Sequence, residues 1–394
     1  MPGAAERPKA FPPAPVLQGM MSIGIPRETQ AHERRVALTP SGVKTLVQRG
    51  YRVWVETGAG LGAGHTDADY ESAGSTIAFG RMELFARTTL VVGVHAPAPS
   101  EYEMLQPGQV IVAFWVLPTV RLEDLRILQA REVTAIGAEA IEDAQGRAPV
   151  LTGMSEIAGS LAVTVGASLL LNAFGGKGIL LGGAPGVPPA HFVVFGAGVL
   201  GRAAARAAVG AGAQVTVLDR CLDRLRDATL EVRSPVATLL ATGPNIEKAL
   251  GFADLVLGAV AVHGERAPRL VTREMLRLMK PRSVIMDLSI DMGGCFETSR
   301  PTAFPDPTYV VDDILHFCVP NLPSAAARSS TQALTSALLP YLLELGTHGP
   351  ERALERSPDL RRGTYLYRGR CTKESLARTF GLRHEPLAVS TEIP

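Results

Sequence analysis

The segment FVVFGAGVLGRAAARAAVGAGAQVTVLD (192–219) constrains the fold of this chain more than any other stretch. An apolar run leads directly into Gly196, Gly198 and Gly201 in G-x-G-x-x-G spacing, then an Ala-rich helical stretch, then a second apolar run ending at Asp219. The first glycine permits a tight turn, the second lets a pyrophosphate approach the backbone, and the third lets helix and strand pack closely. The helix N-terminus, opened by Val199 and Leu200, supplies N–H donors and a positive dipole end. Asp219 follows Gly201 by 18 residues, where a carboxylate can accept hydrogen bonds from an adenosine ribose and repel a 2′-phosphate. NAD is therefore the expected cofactor, while the neighbouring Arg220 keeps NADP open. The bland alternative is a tight strand-to-helix turn without a ligand.

The rest of the chain repeats the same alternation. SIGIP, YRVWVE, TTLVVGV (88–94), QVIVAFWVL (109–117) and EVTAIGAE read as strands, with helices at GVKTLVQRG, DADYESAGS and RLEDLRILQA. A small-residue helix is expected from Ser155 to Phe174, its Ala and Gly content suited to close packing. HFVVFG, QVTVLD, ADLVLGAV, SVIMDLS and YVVDD then form a second α/β series. A long helix begins near Ser329 and continues past Pro340, and the tail is expected to return to the first domain. This predicts an α/β fold of two Rossmann-like doubly wound domains linked by long helices, and 394 residues fit that count.

Lys plus Arg number 39 against 38 Asp plus Glu, which gives no electrostatic reason to expect nucleic acid or an anionic membrane as partner. The four cysteines form no C-x-x-C pair and the histidines no metal-binding spacing, so no metal is expected and a cytoplasmic location fits. No apolar run is read as a membrane span. Residues 1–20, Pro-rich and lacking an apolar signal core, read as a disordered extension.

Several further stretches carry a resemblance: GIPRET (24–29), RRVALTPSGV (34–43), ETGAGLGAG (56–64), LTGMSEIAGSLA (151–162), LGGAPGVPPA (181–190) and MDLSIDMGGCFETSRPT (286–302). In this order they resemble the alanine dehydrogenase and nicotinamide nucleotide transhydrogenase family. CVPNLPSAAARSSTQALTSALLPYLLELG (318–346) is similar to the alanine dehydrogenase branch. The resemblance implies a substrate domain of residues 21–149 plus 325–394, an NAD domain of residues 150–324, a cleft between them, and a homo-oligomer, hexamer or dimer. It also implies that Arg35 binds a substrate carboxylate and that Asp291 orients the amine near the reacting carbon. Ser155, Val260, Val319, Asn321 and Leu322 fall, with the Gly-rich turn, on the cofactor side.

The substrate positions depart from the alanine dehydrogenase pattern. GVHAP (93–97) puts His95 where that branch has a lysine, and FWVL (114–117) puts Val116 where it has a histidine. His95 is the candidate acid/base, since an imidazole titrates near neutrality, or else a polar remnant of a changed pocket. Trp115 reads as core before pocket. The expectation is an NAD(H)-dependent oxidoreductase acting on the CH–NH2 or imine carbon of a small amino or oxo acid other than, or in addition to, alanine and pyruvate. The alternatives are a catalytically impaired NAD-binding regulatory or assembly subunit and, ranked lower, transhydrogenase-like hydride transfer.

Overall fold

The computed structural model describes residues 21–115, 120–261 and 266–387, which leaves the expected N-terminal extension and Val116 outside the described residues. The chain divides into two compact units, one made of residues up to Leu151 together with those from Ala327 onward, the other Thr152–Ala326.

The first unit holds β1 (Ser22–Ile25), β2 (Arg52–Glu56), β3 (Thr76–Ala78), β4 (Leu90–His95), β5 (Val110–Phe114), β6 (Thr134–Gly137), β14 (Thr364–Tyr367) and β15 (Arg370–Cys371). They form one sheet in the order β15-β14-β6-β5-β4-β1-β2-β3, parallel from β6 to β3. Because β1 pairs with both β2 and β4, the strand order reverses there, and the loops after β1 and β4 leave the same end of the sheet. The C-terminal β14 pairs antiparallel with β6. Helices α1 (Pro40–Gln48), α2 (Asp67–Ser72), α3 (Arg81–Arg87) and α4 (Leu122–Ala130) connect the parallel strands. Phe85, Tyr102, Ile111, Trp115, Leu125 and Leu366 are among the buried residues of its core, so Trp115 packs as core.

The second unit holds β7 (His191–Phe195), β8 (Gln214–Asp219), β9 (Ala237–Leu240), β10 (Leu255–Gly258), β11 (Val284–Asp287), β12 (Thr308–Val311) and β13 (Ile314–Phe317), in the order β12-β13-β11-β10-β7-β8-β9. This is a doubly wound sheet whose switch point lies between β7 and β10. The strand read at YVVDD forms β12, which runs antiparallel to β13. Asp312 and Asp313, both at positive φ (49° and 62°), close the pair as a two-residue hairpin.

Helix α5 (Pro149–Leu169) starts six residues before the expected Ser155 and stops short of Phe174. With a mean hydropathy of 1.4 it passes a test of length and composition for a membrane span, as the core helix of a globular unit also does. Its Val, Leu, Ile and Met residues account for that hydropathy, and its glycines for its close packing in the unit. A Cβ at Gly159 would meet the Leu200 carbonyl at 2.4 Å on α6 (Val199–Gly210), and one at Gly166 would meet Leu255 of β10 at 2.6 Å. The exposed hydroxyls of Ser160 and Thr164 bond back to carbonyls one turn earlier. Helices α7 (Leu222–Val232) and α8 (Gly243–Phe252) complete this unit.

The chain then enters α9 (Ala327–Arg356), which runs through Pro340 and loses helical geometry at Gly349, before α10 (Pro358–Gly363) and, past β15, α11 (Glu374–Phe380).

Candidate functional site

At the reversal point of the first unit, the loop after β1 brings Glu28, Glu33 and Arg35 to the end of β4, which carries His95. Two threonines on α9 hold this loop from the far end of the chain. The Val36 amide donates to Thr331 Oγ1 (3.1 Å) and the Thr39 amide to Thr335 Oγ1 (2.8 Å), both bonds buried. Thr39 then caps α1 by accepting from the Gly42 amide at 3.2 Å.

Glu33 is the hub of the cluster. Arg35 Nε and Nη2 donate to its two oxygens at 2.9 and 2.6 Å, a fork-to-fork pair. His95 Nε2 lies 2.8 Å from Glu33 Oε2 and 3.5 Å from Arg35 Nη2. Burial alone would raise the Glu33 carboxyl, but the hydrogen bonds from Arg35 and His95 and the guanidinium charge outweigh it and hold the group well below the usual range. Arg35 and Glu33 side chains are 4% and 1% exposed, so this ion pair is buried, while His95 keeps 20% of its side chain accessible. The geometry unites Arg35 and His95, and it sets the guanidinium plane before any ligand arrives. Glu28 sits behind them, accepting the amides of Val94 and His95. Sequence reading missed both glutamates. The available signal was two acids in a short loop directly after a strand.

In the second unit the Gly-rich turn leaves β7 at the switch point. Gly196 has φ +105°, and a Cβ there would sit 2.3 Å from the Ala259 carbonyl; at Gly201 it would sit 1.8 Å from the Gly196 carbonyl. A Cβ on Gly198 would meet nothing within 4 Å, so the space beside this backbone is open toward the start of α6. Val199 and Leu200, half-buried, form the first turn of that helix. Asp219 is buried at the end of β8 and braces the turn, accepting the Ala197 amide at 2.7 Å and the Cys221 amide at 2.8 Å. Arg220 beside it is exposed. Val260, just after β10, donates its amide to Ser289 Oγ at 2.9 Å, and Ser155 lies on α5, half-buried. An open cradle at a helix N-terminus with a carboxylate at the next strand end fits a dinucleotide.

Asp291 is exposed in a short 3₁₀ turn, Ile290–Met292, beyond β11. That turn is fastened by Asp287, which the sequence reading passed over. Asp287 accepts the amides of Ser289 (3.0 Å) and Cys295 (2.9 Å) and the hydroxyl of Ser299 (2.6 Å). Burial pushes its carboxyl up against those hydrogen bonds. Val319 and Leu322 are buried beyond β13, and Asn321 between them holds φ +56°. His316 is fully buried, bonded to the Ile314 carbonyl and to Thr298, and stacked on Tyr309, so its role is structural.

Comparison with known proteins agrees with this architecture. Residues 24–158 match the alanine dehydrogenase/PNT N-terminal domain and residues 162–374 the corresponding C-terminal domain. The chain therefore belongs to the alanine dehydrogenase/PNT family. An alanine dehydrogenase of Halomonas elongata is 43% identical over 364 residues, covering 92% of this chain and 98% of that protein. A solved L-alanine dehydrogenase superposes with a TM-score of 0.87 at 41% identity, over 92% of this chain and 99% of that one. The transhydrogenase of Sinorhizobium meliloti superposes at 0.76 with 26% identity, over 90% and 99%. Along nearly its whole length the chain is thus alanine-dehydrogenase-like.

Proposed function

We propose that this protein is an NAD(H)-dependent oxidoreductase that interconverts a small 2-oxo acid and its amino acid. The observation that carries the reading is the buried Arg35–Glu33–His95 cluster at the reversal point of a parallel sheet. A carboxylate-binding cation and a proton-transferring ring share one anchor there, in a chain that also has an open dinucleotide cradle at Gly198. In the reductive direction a 2-oxo acid, ammonium, NADH and a proton give the amino acid, NAD and water. NADH, when bound, supplies the hydride to the imine carbon.

Arg35, its plane fixed by Glu33, binds the substrate carboxylate. His95, held on Glu33 Oε2 at 2.8 Å, moves the proton at the carbonyl or amine side. Asp291 orients the nitrogen. Ser155, Val260, Val319, Asn321 and Leu322 line the cofactor, and Asp219 favours NAD over NADP by repelling a 2′-phosphate. His95 stands where the alanine dehydrogenase branch has a lysine, which supports a substrate range that differs from, or extends beyond, alanine and pyruvate. Residues 171–187 bear the exposed apolar side chains Leu171, Phe174, Leu180 and Val187, which support assembly with further copies of the chain.

The test is NADH oxidation by purified protein with pyruvate or larger oxo acids plus ammonium, after NADH binding has been measured. Turnover that falls about 100-fold or more in His95→Asn supports the reading. NADH binding without turnover on any oxo acid would favour the impaired, regulatory alternative, which the full engagement of the Glu33 fork by Arg35 motivates.

A further inference from the structure

Strands β4 and β5 keep parallel register from Leu90 opposite Val110 to Val92 opposite Val112, and then resume with His95 opposite Phe114. Three steps of β4 thus span two of β5, and the extra residue is a bulge at Gly93 and Val94. Bulges re-aim the side chains that follow them. A Cβ on Gly93 would lie 2.6 Å from the His95 carbonyl, so the tight path needs a glycine. The Val94 amide instead donates to Glu28 Oε1 at 2.7 Å and the His95 amide to Glu28 Oε2 at 3.2 Å. One carboxylate from the loop after β1 therefore receives both amides of the distorted strand end.

We propose that Glu28 is the positioning residue for His95: its carboxylate holds the bulge that sets the imidazole on Glu33, and its protonation loosens that hold. The proposal rests on the reading of His95 as the acid/base group. Protonation converts a charged acceptor of two amides into a neutral one that accepts less strongly. Burial lifts the Glu28 carboxyl to about 7, against the lowering effects of His95 and the Val94 amide, with Glu33 adding to the rise. The other charged groups facing it are Arg81 from the start of α3 and Glu101 from the turn after β4; both line, with Glu28 and His95, a cavity of about 40 Å³. Arg81 is itself paired with Glu56 at 2.9 Å and Glu101 at 3.0 Å. A volume of that kind admits roughly three or four waters at about 10–15 Å³ each, with which Glu28 exchanges its proton.

The test uses the full chain labelled with ¹⁵N-valine, the Val94 amide being assigned by its loss in Val94→Ile. Its proton resonance is expected to move downfield in one step between about pH 6 and 8, as the acceptor ionises. The step should persist in His95→Asn, which excludes the imidazole as its source, and vanish in Glu28→Gln. In parallel, Glu28→Gln should lower kcat about tenfold or more and flatten the pH profile of kcat across that range, with NADH affinity unchanged. A parent chain whose Val94 amide does not titrate, a step that survives in Glu28→Gln, or a Glu28→Gln enzyme with the parent's kcat and pH profile each overturns the proposal. The parent titration needs neither Glu28→Gln nor His95→Asn to fold, only the conservative Val94→Ile used for assignment. If His95→Asn turns over like the parent, the acid/base reading falls and takes the catalytic half of the proposal with it, while the amide titration still decides whether Glu28 governs the bulge.

Discussion

Replacing Gly198 and Gly201 separately by alanine should divide folding from cofactor binding. At Gly198 the backbone has φ −69° and ψ −174°, a region open to alanine, and the new methyl meets nothing within 4 Å. Reduced freedom of the unfolded chain favours the variant by about 0.4–1 kcal/mol. Losing glycine at a helix N-cap costs a similar amount, so the two effects nearly cancel. A net change within about 1 kcal/mol shifts Tm by no more than roughly 4 °C. At Gly201 the methyl would sit 1.8 Å from the Gly196 carbonyl and 3.2 Å from Val194 Cγ1, so α6 must move off β7. Overpacking of that kind costs about 3 kcal/mol, or roughly 6–12 °C. Binding should respond in the opposite order of specificity. The Gly198 methyl fills the space a pyrophosphate needs, and losing a hydrogen bond to a charged group, about 1.5–3 kcal/mol, weakens NADH binding about 10- to 100-fold. Thermal unfolding and NADH fluorescence titration on both variants measure the two quantities. A Gly198→Ala protein that binds NADH as tightly as the parent would refute the cradle at this turn, and so would one that loses binding only in proportion to lost stability.

Three further outcomes are expected. Thr335→Val removes the acceptor of the buried Thr39 amide and should destabilise the first unit by about 1–3 kcal/mol, read by urea unfolding. Asp287→Ala strands the Ser289 and Cys295 amides and the Ser299 hydroxyl, and should cost about 3 kcal/mol while lowering turnover through a loosened Asp291 turn. Stability should also vary with pH in two opposed ways. Glu33, depressed in the folded chain, contributes stability that is fully present above the unfolded value of 4.5 and is lost as pH falls below it. Glu28 rises from 4.5 to about 7 on folding, so the native chain holds an extra proton between those values and loses stability as pH climbs through them. That loss is at most about 3 kcal/mol, and unfolding midpoints at a series of pH values should lose this slope in Glu28→Gln.

The nucleotide-type half of the protein was legible because each glycine of the 196–201 turn answers a separate steric demand, and those demands are local. The hairpin at Asp312–Asp313 was not, since two aspartates at positive φ give a weaker turn signal than Asn-Gly or Asp-Gly, and the run before them has the composition of any strand. Arg35 and His95 were singled out through the family resemblance carried by RRVALTPSGV and GVHAP. Glu28 and Glu33 were not, because an acid in a loop looks solvated until the fold turns it toward the end of a strand some 60 residues later. The hydroxyls of Thr331 and Thr335 carry still less signal, being indistinguishable in a sequence from any threonine on a helix.

Those two hydroxyls also order events during synthesis. The second unit is one continuous stretch, Thr152–Ala326, and needs nothing made after it. The first unit is interrupted: the partner of the Val36 amide lies 295 residues downstream and β6 acquires its β14 neighbour later still. At about 5–20 residues per second a ribosome needs roughly 15–60 s to cover that gap. Throughout that time the loop bearing Arg35 lacks its α9 anchors, and the second unit is completed at Ala326, just before Thr331 is made. The nascent chain thus completes its second unit before its first, and the segment after Ala326, α9 and then β14, is what finishes the unit that carries Arg35 and His95.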